Sequence, residues 1–174
     1  LKNILITGAT SGIGLAAAKK LANSKNNLIL CGRRLYKLNE ISNKLSKITN
    51  ILPLCFDVSD KKEVNKVLEN LPREFSAIDI LINNAGNAYG LDTIQDGSLD
   101  DWDNMIDSNV KGLLYVSRVI MPKMIEQKSG HIINIGSLAG REVYEKGNIY
   151  CATKHAVNAI SKAMRIDLNK TGIK

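Results

Sequence analysis

A tyrosine and a lysine four residues apart, Tyr150 and Lys154 in Asn148-Ile149-Tyr150-Cys151-Ala152-Thr153-Lys154, share one face of a helix. A phenol ordinarily ionises near pH ~10. An ammonium beside it favours the charged form and makes it a usable proton donor and acceptor near neutrality. Taken alone, the pair suits a partly exposed aromatic beside a snorkelling lysine better than it suits catalysis. The segments around it must decide.

The first of these is Thr7-Gly8-Ala9-Thr10-Ser11-Gly12-Ile13-Gly14, which follows an apolar strand and opens a helix. Glycines there let the backbone turn sharply and bring N–H groups to a pyrophosphate at the helix N-terminus. The spacing G-x-x-x-G-x-G departs from the dinucleotide fingerprint G-x-G-x-x-G, and a tight strand–helix connection would use the same residues. Its place within one strand–helix–strand unit favours phosphate binding through Gly8, Thr10, Ser11, Gly12, Ile13 and Gly14. After the second strand, where a NAD site carries an acidic residue for the ribose hydroxyl, the chain has Gly32-Arg33-Arg34. A solvated basic loop would look the same. Downstream of the glycine turn, two guanidinium forks instead point to a 2′-phosphate, hence to NADP.

The elements that must position these residues alternate along the chain. Asn3 to Thr7, Asn27 to Cys31, Ile51 to Cys55, Ile78 to Ile82 and His131 to Ile135 are short apolar runs, as expected of strands buried on both faces. Between them, Leu35, Leu38, Ile41, Leu45, Ile48 and Val64, Val67, Leu68, Leu71 have helical spacing. Asp60 with Glu63, and Ser98 with Asp101, are expected caps. One long helix is expected from Trp102 to Ile125, kinked or ended by Pro122. A last helix is expected from about Tyr150 to Asn169, closed by Gly172. The pattern predicts an α/β fold, a Rossmann-type doubly wound parallel sheet with helices on both faces. Residues 1–174 read as a single dinucleotide-binding and catalytic domain.

Composition excludes several classes. With 44% hydrophobic and 24% charged residues the chain is globular, and no apolar run reaches the ~20 residues of a spanning helix. The net charge of +7 comes from lysines scattered over helix faces rather than from a basic block, so no nucleic-acid partner is expected. Cys31, Cys55 and Cys151 have neither disulfide nor zinc spacing. They are expected as reduced core residues of a cytoplasmic protein, and no metal is predicted.

The set of motifs, in this order, resembles the short-chain dehydrogenases/reductases over essentially the whole chain. It comprises Thr7 to Gly14, Asp57-Val58, Asn83-Asn84-Ala85-Gly86, Asn109, Ser137 and Tyr150/Lys154. The resemblance implies that Tyr150 is the general acid or base and that Lys154 assists it and binds the nicotinamide ribose. It implies that Ser137 holds the substrate oxygen, and that Asn109 holds a water in a proton relay. Asp57 and Val58 would flank the adenine, while Asn84, Ala85 and Gly86 would line the cofactor and brace the central strands.

Gly130 to Ser137 and Gly140-Arg141-Glu142-Val143-Tyr144 through Tyr150 are similar to the NADP-dependent 3-hydroxy acid dehydrogenase group. That implies a small hydroxy acid or its carbonyl partner as substrate. Arg141 is either a partner for a substrate carboxylate or a packing residue. The alternatives are a 3-oxoacyl-carrier reductase of the same fold and a non-catalytic NADP-binding protein. A homodimer or homotetramer is expected through the two long helices, which pair across a two-fold axis in the family. The family also continues past Gly172-Ile173-Lys174 with further strands and a substrate-covering segment, so a fragment lacking its C-terminal part is expected.

Overall fold

The computed structural model describes residues 1–174. Its strands β1 (Lys2–Ile6), β2 (Asn26–Gly32), β3 (Ile51–Cys55), β4 (Ile80–Asn83) and β5 (His131–Asn134) form one sheet in the order β3-β2-β1-β4-β5. Every neighbouring pair is parallel. The helices are α1 (Gly12–Leu21), α2 (Leu35–Leu45), α3 (Lys61–Glu69), α4 (Leu99–Ile106), α5 (Leu113–Gln127) and α6 (Asn148–Asp167). None is long and apolar enough to cross a membrane.

The pleat divides the core in two, because successive side chains of a strand leave on opposite faces. Ile4 and Ile6 cluster with Ala18 of α1 and with Leu38, Ile41 and Leu45 of α2. Leu5, between them in sequence, clusters instead with Val64 and Leu68 of α3 and with Val116, Ile120 and Met124 of α5. Both faces of each central strand are therefore covered, which is why the strands are runs of apolar residues rather than alternations. A third cluster of Leu113, Val157, Met164 and Leu168 fastens α6 to α5. Each such side chain contributes ~1.5–3 kcal/mol when fully buried.

From β1 the chain winds outward through β2 to β3, then returns to the far side of β1 for β4 and β5. Connections leaving β1 and β4 diverge at this switch, and a crevice opens beyond their carboxyl ends. At its floor the β1–α1 turn meets the end of β4. The Asn84 amide donates to the carbonyls of Thr7 (2.9 Å) and Gly8 (3.2 Å). The Thr7 hydroxyl accepts from the N–H groups of Asn84 and Ala85, both at 3.0 Å. A Cβ on Gly14 would lie 2.4 Å from both the Gly8 carbonyl oxygen and Asn84 Nδ2. Only hydrogen fits there.

Several boundaries differ from expectation. β4 begins at Ile80 rather than Ile78, because the Asp79 carboxylate takes the Asn3 N–H (2.7 Å) just before the ladder begins. The long helix runs without interruption from Leu99 to Gln127, but residues Asp107–Gly112 form a π turn between α4 and α5. Pro122 does not end α5, which runs on to Gln127. The carbonyl left without an N–H partner by Pro122 belongs to Arg118, an exposed residue, where solvent can take the place of the lost donor. α6 starts at Asn148 and ends at Asp167, before Gly172 at φ +85°. Both caps form, Asp60 accepting from the N–H groups of Lys62 and Glu63 and Ser98 from that of Asp101. Glu63 does not close a box with Asp60; it accepts the Asp57 N–H at 3.2 Å. At one sheet edge β3 carries Pro53, opposite Leu30 of β2. At the other, Ile132 of β5 donates its N–H to the Lys174 carbonyl at 2.8 Å.

The turn predicts two unequal substitutions. Gly14→Ala forces backbone apart and should cost ~2 kcal/mol or more. Gly12, at φ +53° with nothing within 4 Å of its added Cβ, should lose only ~1 kcal/mol as alanine. Urea unfolding of both variants measures this, and equal midpoints would disprove the packing argument.

Candidate active site

The crevice is a cleft of about 600 Å³. Its floor is the turn Gly8, Thr10, Ser11, Gly12 and Ile13, with Gly8 at φ +65° and Gly12 at φ +53°. One end is framed by Arg33, Arg34, Asp57 and Val58, and the opposite end by Tyr150 and Lys154. Asn84, Ala85 and Gly86 form the wall between them. Gly14 lies beneath the turn as a packing residue and does not line the cleft.

The two arginines differ in their surroundings. Arg33 Nη1 stands 3.3 Å from Asp57 Oδ2, so its charge is largely compensated. Burial would raise the Asp57 carboxyl, but hydrogen bonds from the Ser59 N–H and hydroxyl, together with Arg33, outweigh it and hold the group below its ordinary value. Arg34 has no carboxylate. Its guanidinium donates to Thr10 Oγ1 from Nε (3.2 Å) and Nη2 (2.7 Å), and to Ser11 Oγ (2.9 Å). A cation fixed by two hydroxyls of the glycine turn is oriented yet uncompensated, which suits an anion.

At the other end Lys154 is 9% exposed and donates to the Ile135 carbonyl at 3.0 Å. Its Nζ lies 5.9 Å from the centre of the Tyr150 ring. Burial holds the ammonium below its ordinary value of 10.5, and no carboxylate stands against it. An ammonium has three N–H donors; one is used within the chain, and the others suit hydroxyl oxygens of a ligand in the cleft.

Ser137 and Asn109 are placed differently from the Tyr/Lys pair. Ser137 stands one residue beyond Gly136 of the lining, exposed. Its Oγ accepts the Ala139 N–H at 3.1 Å and begins the short 3-10 turn Leu138–Gly140, leaving the hydroxyl hydrogen to donate elsewhere. Asn109 is buried in the π turn. Its Nδ2 donates to the Asn87 carbonyl (2.8 Å) and to Thr153 Oγ1 (3.1 Å), while its Oδ1 accepts from the Asn87 N–H (2.8 Å) and the Ser108 hydroxyl (3.2 Å). The single Ser108 hydrogen also points to the Asn104 carbonyl at 2.8 Å, so the firm anchors of the Asn109 side chain are Asn87 and Thr153. The π turn also explains Gly86, whose added Cβ would fall 2.8 Å from Asn109 Oδ1.

Sequence reasoning missed Phe56, Asn87, Ala88, Ser108, Ile135 and Gly136, which also line the cleft. Their only signal was adjacency to motif residues. Arg141 is exposed, without an acidic partner. Cys31 and Cys151 are buried as expected, and burial pushes the Cys31 thiol up. Cys55, expected in the core, is exposed at the end of β3. His155 Nδ1 lies 2.9 Å from the Cys151 carbonyl of its own helix.

The depressed Lys154 has a measurable sign. A lysine whose folded value is below its unfolded value opposes folding while both states are protonated, and that cost fades as pH rises toward 10.5. Lys154→Met should therefore gain most on wild type near neutrality, with the difference shrinking toward alkaline pH. Urea midpoints across that range test it; a difference that grew with pH would refute the burial argument.

Comparison with known proteins agrees with this architecture. The profile of the family described as short chain dehydrogenase matches residues 2–174. The NADP-dependent 3-hydroxy acid dehydrogenase of Schizosaccharomyces pombe is 45% identical, over 99% of this chain and 68% of its own length. The NADP-dependent 3-hydroxy acid dehydrogenase YdfG of Escherichia coli K12 is 41% identical, over 98% of this chain and 68% of its own. Among solved structures, the closed form of serine dehydrogenase complexed with NADP+ superposes with a TM-score of 0.95 at 40% identity, covering 99% of this chain and 68% of that one. With the glycine turn, the parallel sheet and the Tyr150/Lys154 helix in this arrangement, the chain belongs to the short-chain dehydrogenase family.

Proposed function

We propose that the protein is an NADP-dependent oxidoreductase acting between a small 3-hydroxy acid and its carbonyl partner. One observation carries this reading. A single cleft has an uncompensated, hydroxyl-fixed guanidinium at one end and a buried lysine beside a tyrosine at the other, with a glycine turn between them. The relatives named for NADP and 3-hydroxy acids support the cofactor and substrate class.

The residues fit such a cofactor. The positive-φ glycines leave the turn bare of side chains for a pyrophosphate, Arg34 suits a 2′-phosphate, and the free Lys154 donors suit ribose hydroxyls. Bound there, the nicotinamide supplies or accepts the hydride. Tyr150 gives a proton to the carbonyl oxygen in reduction and takes one from the hydroxyl in oxidation. Lys154 lies close enough to stabilise the resulting phenolate by charge. Ser137 turns its remaining hydroxyl hydrogen to the substrate oxygen as negative charge develops. Asn109, bonded to Asn87 and Thr153, secures the π turn beside the cleft and would hold a water of the proton relay from Lys154.

Two measurements decide the main assignments. Arg34→Leu should weaken NADPH binding ~10-fold or more, the scale of a lost charge-assisted hydrogen bond, with little effect on NADH. Arg33→Leu, already paired with Asp57, should do less, and fluorescence titration giving the opposite order would reverse the assignment. Tyr150→Phe should lower kcat ~100-fold or more while NADPH binds nearly as before. Near-normal turnover of 3-hydroxy acids by that variant, followed by NADPH absorbance, would reject the mechanism. NADPH binding without turnover of any hydroxy acid or carbonyl by the unsubstituted protein would make it a binding protein.

A further inference from the structure

We infer that Thr153 is a positioning residue whose hydroxyl locks the turn of α6 bearing Tyr150 to the π turn at the cleft wall. This rests on the reading of Tyr150 and Lys154 as the reacting pair. Thr153 is 2% exposed. Its Oγ1 donates to the Tyr150 carbonyl at 2.8 Å and accepts from Asn109 Nδ2 at 3.1 Å. A buried threonine in a helix commonly donates to a carbonyl one turn back, which satisfies its own hydrogen and no more. The bond received from Asn109 is different, because it crosses between elements 44 residues apart in sequence.

The linkage continues. Asn109, also 2% exposed, exchanges two bonds at 2.8 Å with the backbone of Asn87, which lines the cleft. Tyr150 is thus tied through two buried side chains to the wall it faces. The opposite side of α6 is held too, since an added Cβ on Gly140 would lie 2.6 Å from the Lys154 carbonyl oxygen and Lys154 Nζ grips the Ile135 carbonyl. Contact on the Gly140 side is steric and tolerates small sliding. The bond on the Thr153 side is directional and sets the height of Tyr150 along the cleft.

Valine replaces threonine with nearly the same shape but no hydroxyl, so Thr153→Val removes the lock and strands one Asn109 N–H. Serine keeps the hydroxyl. Turnover, substrate KM, NADPH binding and the pH dependence of kcat are measured for the unsubstituted protein, Thr153→Val and Thr153→Ser, well below each protein's melting temperature. Thr153→Val is expected to lower kcat about tenfold, the scale of one misplaced hydrogen bond. KM and NADPH affinity should stay within about twofold, and the pH of half-maximal kcat should move. Thr153→Ser should recover both kcat and the pH midpoint. Unchanged kcat and pH midpoint in Thr153→Val, or a loss confined to KM and NADPH affinity, would overturn the inference while leaving the proposed function standing. No NADPH-linked turnover by the unsubstituted protein would overturn both.

Discussion

The close approach of the β1–α1 turn to the end of β4 is the constraint on which the remaining geometry depends. Gly14 sits where no side chain fits, against the Gly8 carbonyl and the Asn84 amide. Because α1 can descend that far, its N-terminus points along the crevice and the backbone of Gly8 to Gly12 becomes the cleft floor. Asn84 and Thr7 then hold β1 and β4 at a fixed separation through four hydrogen bonds. The walls, including the loop leading to the π turn, hang from that join. Apolar clusters on the two sheet faces supply stability in bulk, but they do not by themselves set the spacing of the crevice.

Charge is distributed along the cleft in a matching way. Where a cation is paired, as Arg33 is with Asp57, it holds shape and adds little field. Where a cation is unpaired it is fixed by neutral oxygens: Arg34 by Thr10 and Ser11, Lys154 by the Ile135 carbonyl. Neutral acceptors orient a cation without cancelling it, so both ends of the cleft keep positive potential. Holding Lys154 charged in a buried position is unfavourable, as its lowered value records. The fold bears that strain where an anionic ligand or a phenolate would relieve it.

What could be read in the sequence was local or periodic. Five apolar runs locate the strands within two residues, since a strand covered on both faces must be apolar throughout. The shared face of Tyr150 and Lys154 follows from a four-residue spacing. The π turn was not legible, because adding a residue to one helical turn leaves hydrophobic spacing nearly intact on either side. Pro122, the residue whose chemistry signals an irregularity, lies inside α5, whereas the π turn is at Asp107–Gly112. The partners of Asn109 were hidden as well: Asn87 and Thr153 are 22 and 44 residues away, and only the folded chain brings them together. The unequal arginines could not be separated either, for adjacent residues of one type look alike until Asp57 and Thr10, each 24 residues away, choose between them.

Pro53 has a consequence beyond the cleft. It lies in β3, a sheet edge that would otherwise offer backbone donors to any extended chain. A proline there has no N–H to give, and an unbroken ladder to β2 requires that its missing donor face outward. An incoming strand would find a gap in the middle of five residues, too short a run to template growth on either side. The edge beside β2 is thereby a poor template for fibre-like addition.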